Sequence, residues 1–267
     1  MKRHPYFAGV EPHAFAHRGG ARRFPENTAF AFREALALGC THIETDLRRT
    51  RDGVIVCFHD ERVERTTNGT GRVRDMTLAE LKSLDAAYRF SPDGGRSFPL
   101  RGRGITVPTL EEALAVRSDA RLNLEIKSGE EAIIPQLIEL IEREKLHGRV
   151  LVASAQDRII QAFRRASRHT VATSSGQWEI FDFWATTRTG LHRFRSYPFQ
   201  ALQVPATFHG LVIVDERFVR AAHAHGIEVH VWTVDDPIEM KRLLALGVDA
   251  LMTDLPSTLL EVLGRKR

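Results

Sequence analysis

The stretch that decides the fold reads His42-Ile-Glu-Thr-Asp-Leu-Arg48, followed after one further arginine and a threonine by Arg51-Asp-Gly53 and then by Val54-Ile-Val-Cys-Phe-His59. Two β-rich runs therefore lie on either side of a short segment with the composition of a tight turn. We predict that Val54–His59 returns as an antiparallel hairpin strand on His42–Arg48. The second run is then an extra strand beside a larger sheet.

Short apolar runs and helix-period segments alternate along the rest of the chain. The strand candidates, with the hairpin strand included, are His13–His17, His42–Arg48, Val54–His59, Leu122–Lys127, Val150–Ser154, Thr170–Ser174, Ala201–Val204, Glu228–Val234 and Ala250–Thr253. The helix candidates are Thr28–Leu38, Thr77–Leu84, Leu110–Val116, Glu131–Lys145, Arg158–Ala166, Glu216–Ala224, Ile238–Leu246 and Thr258–Leu263. Without the hairpin strand, eight βα repeats remain, which is the number in a (β/α)8 TIM barrel. A doubly wound open sheet is the alternative, but no Gly-x-Gly-x-x-Gly loop follows an early strand.

We predict a single α/β barrel domain over residues 1–267, because barrels of about 200–250 residues fold as one unit. Two segments interrupt the alternation of strands and helices. A small loop-rich insertion after the second strand, at approximately residues 60–108, contains several glycine turns. Residues 176–200 are unusually aromatic, and a lid, a dimer contact and an acyl-chain surface all remain open for them. The aromatic residues are Trp178, Phe181, Phe183, Trp184, Phe194, Tyr197 and Phe199.

The composition is that of an ordinary globular protein, with 43% hydrophobic and 27% charged residues. No apolar run reaches the roughly 18–20 residues that span a bilayer, and the N-terminal residues do not resemble a secretory signal. Cys40 and Cys57 have neither metal nor redox spacing, so we interpret them as reduced core residues of a cytoplasmic protein. The net charge is +4, but acidic and basic residues are interleaved. This pattern indicates solvated helix faces and no nucleic-acid partner, and a homo-oligomer remains open.

Polar residues at strand ends mark the candidate site, because reactive groups of a parallel barrel lie at the carboxyl ends of its strands. The first strand ends at His17 and Arg18, a proton carrier beside a permanent cation. Glu44 and Asp46 point to the same face of the second strand, since side chains alternate along a strand. Two neighbouring carboxylates repel each other unless a metal ion lies between them or arginines inside the barrel pair with them.

The hairpin and the next barrel strand extend this group. The predicted register places residue 46 roughly opposite residue 59, so His59 returns beside the carboxylate pair. Glu125 and Lys127 share a face at the end of their strand, where Glu125 offers a third oxygen ligand and Lys127 a cation for phosphate. Three carboxylates suit Mg²⁺ or Ca²⁺ better than zinc, because thiolates are absent from the set.

Two histidines, a divalent-cation site and two cationic side chains form a set suited to cleaving a phosphodiester. One histidine removes a proton from the attacking hydroxyl or water, and the other protonates the leaving alcohol. The metal and Arg18 stabilise charge on the phosphoryl oxygens. Trp232, at the end of the seventh barrel strand, lies close enough to the mouth to cover the carbon skeleton of a substrate, although a core role is nearly as good an interpretation. His223 and His230 have no carboxylate at matching spacing, so no second metal site is predicted.

The ordered motifs of this chain resemble those of the glycerophosphodiester phosphodiesterases. The resemblance is carried by His17-Arg-Gly19, Pro25-Glu-Asn-Thr28, Glu44-Thr-Asp46, Arg51-Asp-Gly53, Phe58-His-Asp60, Glu125-Ile-Lys127, Val231-Trp-Thr-Val234 and Thr253-Asp254. It implies a (β/α)8 barrel with a small insertion after the second strand, and metal-dependent hydrolysis of small-molecule glycerophosphodiesters to glycerol 3-phosphate and an alcohol. It also implies roles for individual residues: metal ligands Glu44, Asp46 and Glu125, the acid/base pair His17 and His59, and phosphate contacts Arg18 and Lys127.

Two segments depart from the family pattern, and both bear on which alcohol leaves. Ala155-Gln-Asp157 stands where the family often has Ser-Phe-Asp, so we interpret Asp157 as the N-cap of the following helix. Residues 176–200 do not align with the family. A lysophospholipase D-like hydrolase on the same barrel is therefore the alternative function. A non-catalytic anion-binding protein is a third reading, but such a protein has no use for a buried carboxylate pair.

Overall fold

The computed structural model describes residues 4–265, which contain eleven strands and nine α-helices. The strands are β1 (His13–Ala16), β2 (His42–Arg49), β3 (Ile55–Cys57), β4 (Arg121–Ile126), β5 (Val150–Ala153), β6 (Ala172–Thr173), β7 (Ala201–Val204), β8 (Thr207–Phe208), β9 (Leu211–Val212), β10 (Glu228–Val231) and β11 (Ala250–Thr253). The helices are α1 (Ala29–Leu38), α2 (Leu78–Lys82), α3 (Leu110–Ala115), α4 (Ile134–Arg143), α5 (Asp157–Ala166), α6 (Gln177–Thr189), α7 (Glu216–Ala224), α8 (Pro237–Ala245) and α9 (Pro256–Val262). None of the helices in this part of the chain is both long enough and apolar enough to span a membrane.

Eight of the strands form a parallel barrel in the order β1, β2, β4, β5, β6, β7, β10, β11, and β11 pairs with β1. The seam between β6 and β7 is closed by an isolated bridge between Ser174 and Ala201. The Gln200 N–H donates to the Thr173 carbonyl at 3.0 Å, and the Ser175 N–H donates to the Ala201 carbonyl at 2.9 Å. The predicted (β/α)8 TIM barrel is therefore confirmed.

The hairpin strand is confirmed as well, but its register is not the predicted one. β3 pairs antiparallel with β2, and Leu47 lies opposite Cys57. Continuing this register places Asp46 opposite Phe58 and not His59, and the Phe58 N–H donates to the Asp46 carbonyl at 2.9 Å. The loop has three residues, since it closes between Thr50 and Val54, and its last residue, Gly53, has a φ of +89°.

The barrel is filled at one end and open at the other. A 3-10 helix at Pro5–Phe7 covers the amino ends of the strands, which we call the floor, and both Tyr6 and Phe7 are buried there. Above them, Phe15 and Met252 pack inside the barrel, while a larger apolar core lies between the strands and the surrounding helices. The carboxyl ends of the strands, which we call the mouth, are the end at which parallel barrels carry their active sites.

Between β3 and α3 the chain forms loops, one 3-10 turn and α2, around a small apolar cluster of its own. This cluster includes Phe58, Val73 and Leu81, all of them buried. We retain one domain with an insertion at about residues 60–108 as a proposal for the domain organisation.

α6 is a helix that the sequence analysis missed, in the aromatic segment 176–200. Its buried side includes Phe183 and Thr187, but Trp178 and Phe181 are exposed on the other side, so the helix lacks a clear apolar stripe. The prediction for Asp157 is also wrong. Its carboxylate accepts hydrogen bonds from the N–H groups of Trp178 (3.0 Å) and Glu179 (3.2 Å), so it caps α6 and not its own helix.

Candidate active site

The end of β1 places His17 and Arg18 at the mouth. They lie in a 3-10 turn in which Arg18 has a φ of +52°, and this turn points the Arg18 N–H at Glu44 with a hydrogen bond of 2.9 Å. The Arg18 guanidinium reaches Glu26 at 3.2 Å and Asp46 at 3.5 Å. The backbone and the side chain of Arg18 thus both contact carboxylates of the predicted site.

The three predicted metal ligands lie together. β2 and β4 are parallel neighbours with Asp46 directly beside Glu125, and Glu44 lies one step earlier on the same face of β2. One carboxylate oxygen from each of these three residues lies within 4.8 Å of the other two. Burial and the charge of Asp46 raise the pKa of Glu44 to about 7, because several negative charges share a site that water hardly reaches.

Two cations lie against the most buried member of this cluster. The Lys127 ammonium is 2.7 Å from Asp46 and 2.9 Å from Glu125, and Arg18 approaches Asp46 from the other side. Burial alone would raise the pKa of Asp46, but the charges of Lys127, His59 and Arg18 outweigh it and lower this pKa. Asp46 is therefore ionised at neutral pH although only 1% of its surface is exposed.

Asn27 orients the same carboxylate, a role that the sequence analysis did not assign. Its side-chain amide donates to Asp46 at 2.8 Å, and its amide oxygen accepts from the Thr45 hydroxyl at 2.6 Å. Thr28 caps α1, because its side chain accepts the Ala31 N–H at 3.1 Å. Within the Pro25-Glu-Asn-Thr28 motif, Thr28 therefore caps the first turn of α1, and Asn27 holds the Asp46 carboxylate.

His17 is fixed by a residue from the opposite end of the chain. Its Nδ1 lies 2.7 Å from the Asp254 carboxylate and donates to it, while Nε2 lies 3.8 Å from Glu44. Burial opposes the charged form, but the bond to Asp254 and the charge of Glu44 outweigh it, so the pKa of His17 is raised. Because β11 pairs with β1, the residue after Thr253 necessarily lies beside His17, and the parallel register is the signal that could have found Asp254.

His59 is also held through Nδ1 by an aspartate, but its pKa is lowered and not raised. Its Nδ1 lies 2.6 Å from Asp60, and Arg65 holds Asp60 at 2.6 Å and Glu26 at 2.7 Å. Burial lowers the pKa of His59, and the nearby positive charge of Lys127 adds to this, although Asp46 opposes it. Arg65 and His59 together lower the pKa of Asp60 to about 2 against the effect of its partial burial. A chain of ion pairs through Glu26 thus connects His59 with Arg18.

Trp232 lies at the rim of the mouth with 43% of its surface exposed. The backbone N–H of Trp232 donates to the Val204 carbonyl at 3.1 Å, and this bond fixes the residue beside the end of β7. Deeper in the barrel, Gln203 bonds to Asn123 at 3.0 Å, so it belongs to the barrel interior. The exposed ring of Trp232 is therefore available to a ligand, and the core reading of this residue is wrong.

His223 and His230 were expected to have no carboxylate partner, and this expectation is wrong. His230 lies 2.9 Å from Glu228, and His223 lies 2.9 Å from Asp249, so both have the carboxylate partner that the sequence analysis did not find. Glu228 also belongs to a second group of ligand-type side chains, with Glu11 and His13, at the floor of the barrel. The spacing of Glu228 and His230, two residues apart on one strand, was the signal for their contact.

The structure brings the predicted site residues to the mouth of the barrel. Glu44, Asp46, Glu125 and Lys127 form one contact group, with Arg18 and His17 joined to it through Glu44 and Asp46. The donor set fits a hard divalent cation, since it consists of carboxylate oxygens with an excess of negative charge that raises the pKa of Glu44. The acidic groups are thus positioned to bind a metal ion.

Comparison with known proteins agrees with this geometry. The model of the glycerophosphoryl diester phosphodiesterase family matches residues 17–258. A glycerophosphodiester phosphodiesterase of Caldanaerobacter subterraneus is 33% identical over 255 residues, which cover 94% of this chain and 97% of that protein. The chain belongs to the glycerophosphoryl diester phosphodiesterase family.

Solved structures of family members share the barrel. The glycerophosphoryl diester phosphodiesterase domain of an uncharacterised protein from Mycobacterium tuberculosis superposes with a TM-score of 0.83 at 24% identity, covering 96% of this chain and all of that one. A phosphodiesterase of Oleispira antarctica, solved in complex with the product sn-glycerol-3-phosphate, has a TM-score of 0.73 at 26% identity and covers 95% of this chain and 97% of its own. The family assignment therefore holds for nearly the whole chain.

Proposed function

We propose that this protein hydrolyses glycerophosphodiesters to glycerol 3-phosphate and an alcohol, and that the reaction depends on a divalent cation. The observation that carries the proposal is the convergence of Glu44, Asp46 and Glu125 within 4.8 Å, with His17 beside them. Family membership and the product complex of the Oleispira antarctica relative support the substrate class. The ion is Mg²⁺ or Ca²⁺, since the ligands are all oxygen atoms.

Glu44, Asp46 and Glu125 would hold this ion. When bound, it would neutralise charge on the phosphoryl oxygens and polarise the phosphorus toward attack. Arg18 and Lys127 border the same carboxylates, at 3.5 and 2.7 Å from Asp46, so their charges act on a phosphate seated there. Trp232 covers the carbon skeleton of the glycerol or of the alcohol.

The two histidines divide the proton transfers. The pKa of His59 is lowered, which favours a neutral ring that takes the proton from the attacking oxygen. The pKa of His17 is raised, which favours a charged ring that gives its proton to the leaving alcohol oxygen. Asp60 and Asp254 each hold an Nδ1, which leaves the Nε2 of both rings for these transfers.

The attacking oxygen belongs either to water or to the neighbouring glycerol hydroxyl, and in the second case a cyclic phosphate forms first. Following the reaction of glycerophosphocholine by ³¹P NMR separates the two routes. A transient cyclic glycerophosphate signal identifies hydroxyl attack. Turnover of the substrate analogue that lacks this hydroxyl identifies direct attack by water, because the analogue cannot form the cyclic phosphate.

The central test measures turnover of glycerophosphocholine and glycerophosphoethanolamine with Mg²⁺ or Ca²⁺, before and after chelation. We expect activity that chelation removes and added ion restores. Glu44→Gln should weaken ion binding in calorimetry, whereas Glu34→Gln on the exposed side of α1 is the matched control and should leave it unchanged. Turnover that survives chelation, or no turnover of either substrate, would overturn the proposal.

A lysophospholipid substrate is the second candidate, and the exposed Trp178 and Phe181 of α6 favour it because an acyl chain needs an apolar surface. Comparing kcat/KM for glycerophosphocholine and lysophosphatidylcholine decides between the two. A preference for the first substrate removes the lipid hydrolase, and a preference for the second replaces the main proposal.

A cytoplasmic location accompanies the proposed function. Both cysteines are buried and free, and burial raises the pKa of each to about 12, so neither thiol is reactive. Fractionation of cells that express the full chain should find it in the cytoplasm with both thiols reduced after denaturation. Recovery from the culture medium would contradict this location.

A further inference from the structure

The largest concentration of exposed apolar side chains lies away from the proposed catalytic residues. Seven of the ten exposed large hydrophobic residues in the part of the chain that the structure describes fall between residues 178 and 212. We define the aromatic patch as the following residues of α6 and of the β8–β9 hairpin: Trp178, Phe181, Trp184, Phe208, Leu211 and Val212. A contiguous exposed apolar surface of this kind usually marks an interaction site.

The patch is continuous from the helix to the hairpin. Along α6, the rings of Trp178 and Phe181 lie 6.0 Å apart and those of Phe181 and Trp184 lie 6.5 Å apart. The Trp184 indole N–H then donates to the Val212 carbonyl at 3.2 Å, which joins the helix to the hairpin. Within the hairpin, Phe208 is paired with Leu211. Two separate elements therefore present one apolar surface.

Arginines border the part of this surface where the helix meets the hairpin, since the Arg188 guanidinium lies 5.0 Å from the centre of the Trp184 ring. Two neighbouring carboxylates are paired with arginines, because Asp182 lies 3.3 Å from Arg195 and Asp215 lies 2.5 Å from Arg188, while Asp157 accepts the Trp178 N–H. Arg193 and Arg217 are exposed and have no ion-pair partner within residues 4–265. Both contribute, after burial and His225, to the lowered pKa of His192, so their positive charges lie near the turn Leu191–Phe194 that follows α6, and Arg217 comes five residues after Val212 of the hairpin.

The aromatic patch also lies next to the mouth. The hairpin begins three residues after Val204, the end of β7, and the Trp232 N–H is bonded to that same residue. A flat object held against the patch would therefore lie beside the rim where Trp232 is exposed. None of the proposed catalytic residues or metal ligands belongs to the patch, so its role is separable from the chemistry.

We propose that the aromatic patch docks the enzyme reversibly on an anionic lipid bilayer. Tryptophan and phenylalanine are the residues that enter the boundary between headgroups and acyl chains, and flanking arginines are attracted to negative headgroups. Each arginine near an anionic membrane surface adds to this attraction. Surplus positive charge beside an apolar surface fits this partner better than a second copy of the chain, which would bring like charges together.

The test is binding to vesicles without substrate, so it does not depend on the proposed function. The full chain is sedimented with vesicles of phosphatidylcholine alone or of phosphatidylcholine with phosphatidylglycerol. We expect binding to the anionic vesicles, weakening with added salt, and a blue shift of tryptophan emission, since two of the three tryptophans lie in the patch.

Two sets of variants assign the binding to the patch. Trp178→Ser with Phe181→Ser should weaken binding by about tenfold or more, because two large apolar side chains no longer leave water. Val10→Ser with Ile238→Ser is the matched control, since those residues are 69% and 77% exposed elsewhere, and it should bind like the unaltered chain. Arg193→Glu with Arg217→Glu should weaken binding by about tenfold or more, and only on the anionic vesicles.

Hydrolysis of water-soluble glycerophosphocholine should be unchanged in all these variants, which separates a failure of docking from a failure of the proposed function. The proposal is overturned if the unaltered chain does not bind anionic vesicles, or if the patch variant binds as well as the control variant. It is also overturned if light scattering finds a dimer that the patch variant dissociates, since the patch would then be covered by a second copy.

Discussion

The mouth and the floor of the barrel are built from the same residue types and behave in opposite ways. At the mouth, His17 lies between Asp254 and Glu44, and its pKa is raised. At the floor, His42 stacks on Phe15 with 4.4 Å between the rings, and burial lowers its pKa well below the usual value. The carboxylates around His17 favour its charged form, whereas the apolar rings around His42 leave it a neutral packing element.

The same strands supply both ends, so sequence spacing alone does not separate the two roles. β2 begins with His42 at the floor and continues with Glu44 and Asp46 at the mouth, all on one face. β10 carries His230 in the interior, and Trp232 follows at the rim. What differs is the covering, because Tyr6 and Phe7 close the floor and leave the mouth as the end where charges remain accessible.

The comparison predicts, first, that histidines at the mouth control the rate. His59→Asn and His17→Asn should each lower kcat by roughly 10²–10⁴-fold, the usual share of a general acid or base. Steady-state assays with glycerophosphocholine at saturating divalent ion check this. His223→Asn, a partly exposed histidine on α7, is the control and should keep normal turnover. If either mouth variant keeps a near-normal kcat, the role proposed for that histidine is wrong.

The second prediction concerns the residue that orients Asp46, one of the proposed metal ligands. Asn27→Ala should lower the affinity for the divalent ion by about 10–100-fold, the range seen when a residue that orients a ligand is removed. The reason is that Asn27 holds both Asp46 and Thr45. Calorimetric titration with Mg²⁺ and Ca²⁺ measures the loss. An affinity equal to that of the unaltered chain would mean that Asp46 does not need this amide.

At the floor, a histidine should matter for stability and not for rate. His230→Ala removes the partner of Glu228 at 2.9 Å and a ring packed near Phe15, so it should lower the free energy of unfolding by about 1–3 kcal/mol. Urea denaturation measures this value, and kcat of the folded fraction should be unchanged. If the His230→Ala variant had normal stability but a reduced kcat, this histidine would serve the reaction and not the packing of the floor.

The smallest expected effect comes from His223 and Asp249 near the floor. The hydrogen bond to Asp249 raises the pKa of His223, and this bond, with that from the Val229 N–H, lowers the pKa of Asp249 against its burial. The stabilisation by the charged pair is therefore complete between about pH 4 and pH 6.5. It is lost as pH rises through the pKa of His223 in the folded protein, and also as pH falls through that of Asp249.

His223→Gln should accordingly cost less than about 1 kcal/mol near pH 6, because the pair is partly exposed. The difference from the unaltered chain should be smaller at pH 8.5, because the stabilising charge is lost as pH rises through the raised pKa of His223 in the folded protein. Unfolding curves at the two pH values measure this. A cost that is equal at both values would show that the charge of His223 contributes nothing.

The barrel and the carboxylate cluster were accessible from sequence because each depends on short-range alternation. Glu44, Asp46 and Glu125 could be placed at strand ends once eight repeats had been counted, and neighbouring parallel strands bring such ends together. The partners that fix the histidines were harder to find. Asp254 is 237 residues from His17, so its role becomes visible only after β11 is known to pair with β1.

The errors have physical causes of the same kind. The register of the hairpin was off by one because Thr50 and Val54 close a three-residue loop, a choice that local composition does not determine. α6 was missed because its exposed side is as aromatic as its buried side. Asp157 was assigned to its own helix, whereas the packing of α6 against α5 directs its carboxylate to Trp178 and Glu179. Each of these three errors concerns a contact between separate parts of the chain, which the local sequence does not specify.

The bond between His17 and Asp254 has a consequence for the newly made protein. The proposed general acid, His17, follows β1, the first strand of the barrel, but its orienting carboxylate follows β11, the last one. During translation, the carboxylates of β2 and β4 can meet long before that strand leaves the ribosome. A truncated or unfinished chain would therefore have an ion-binding pocket without a poised proton donor, so hydrolysis begins only when the barrel has closed.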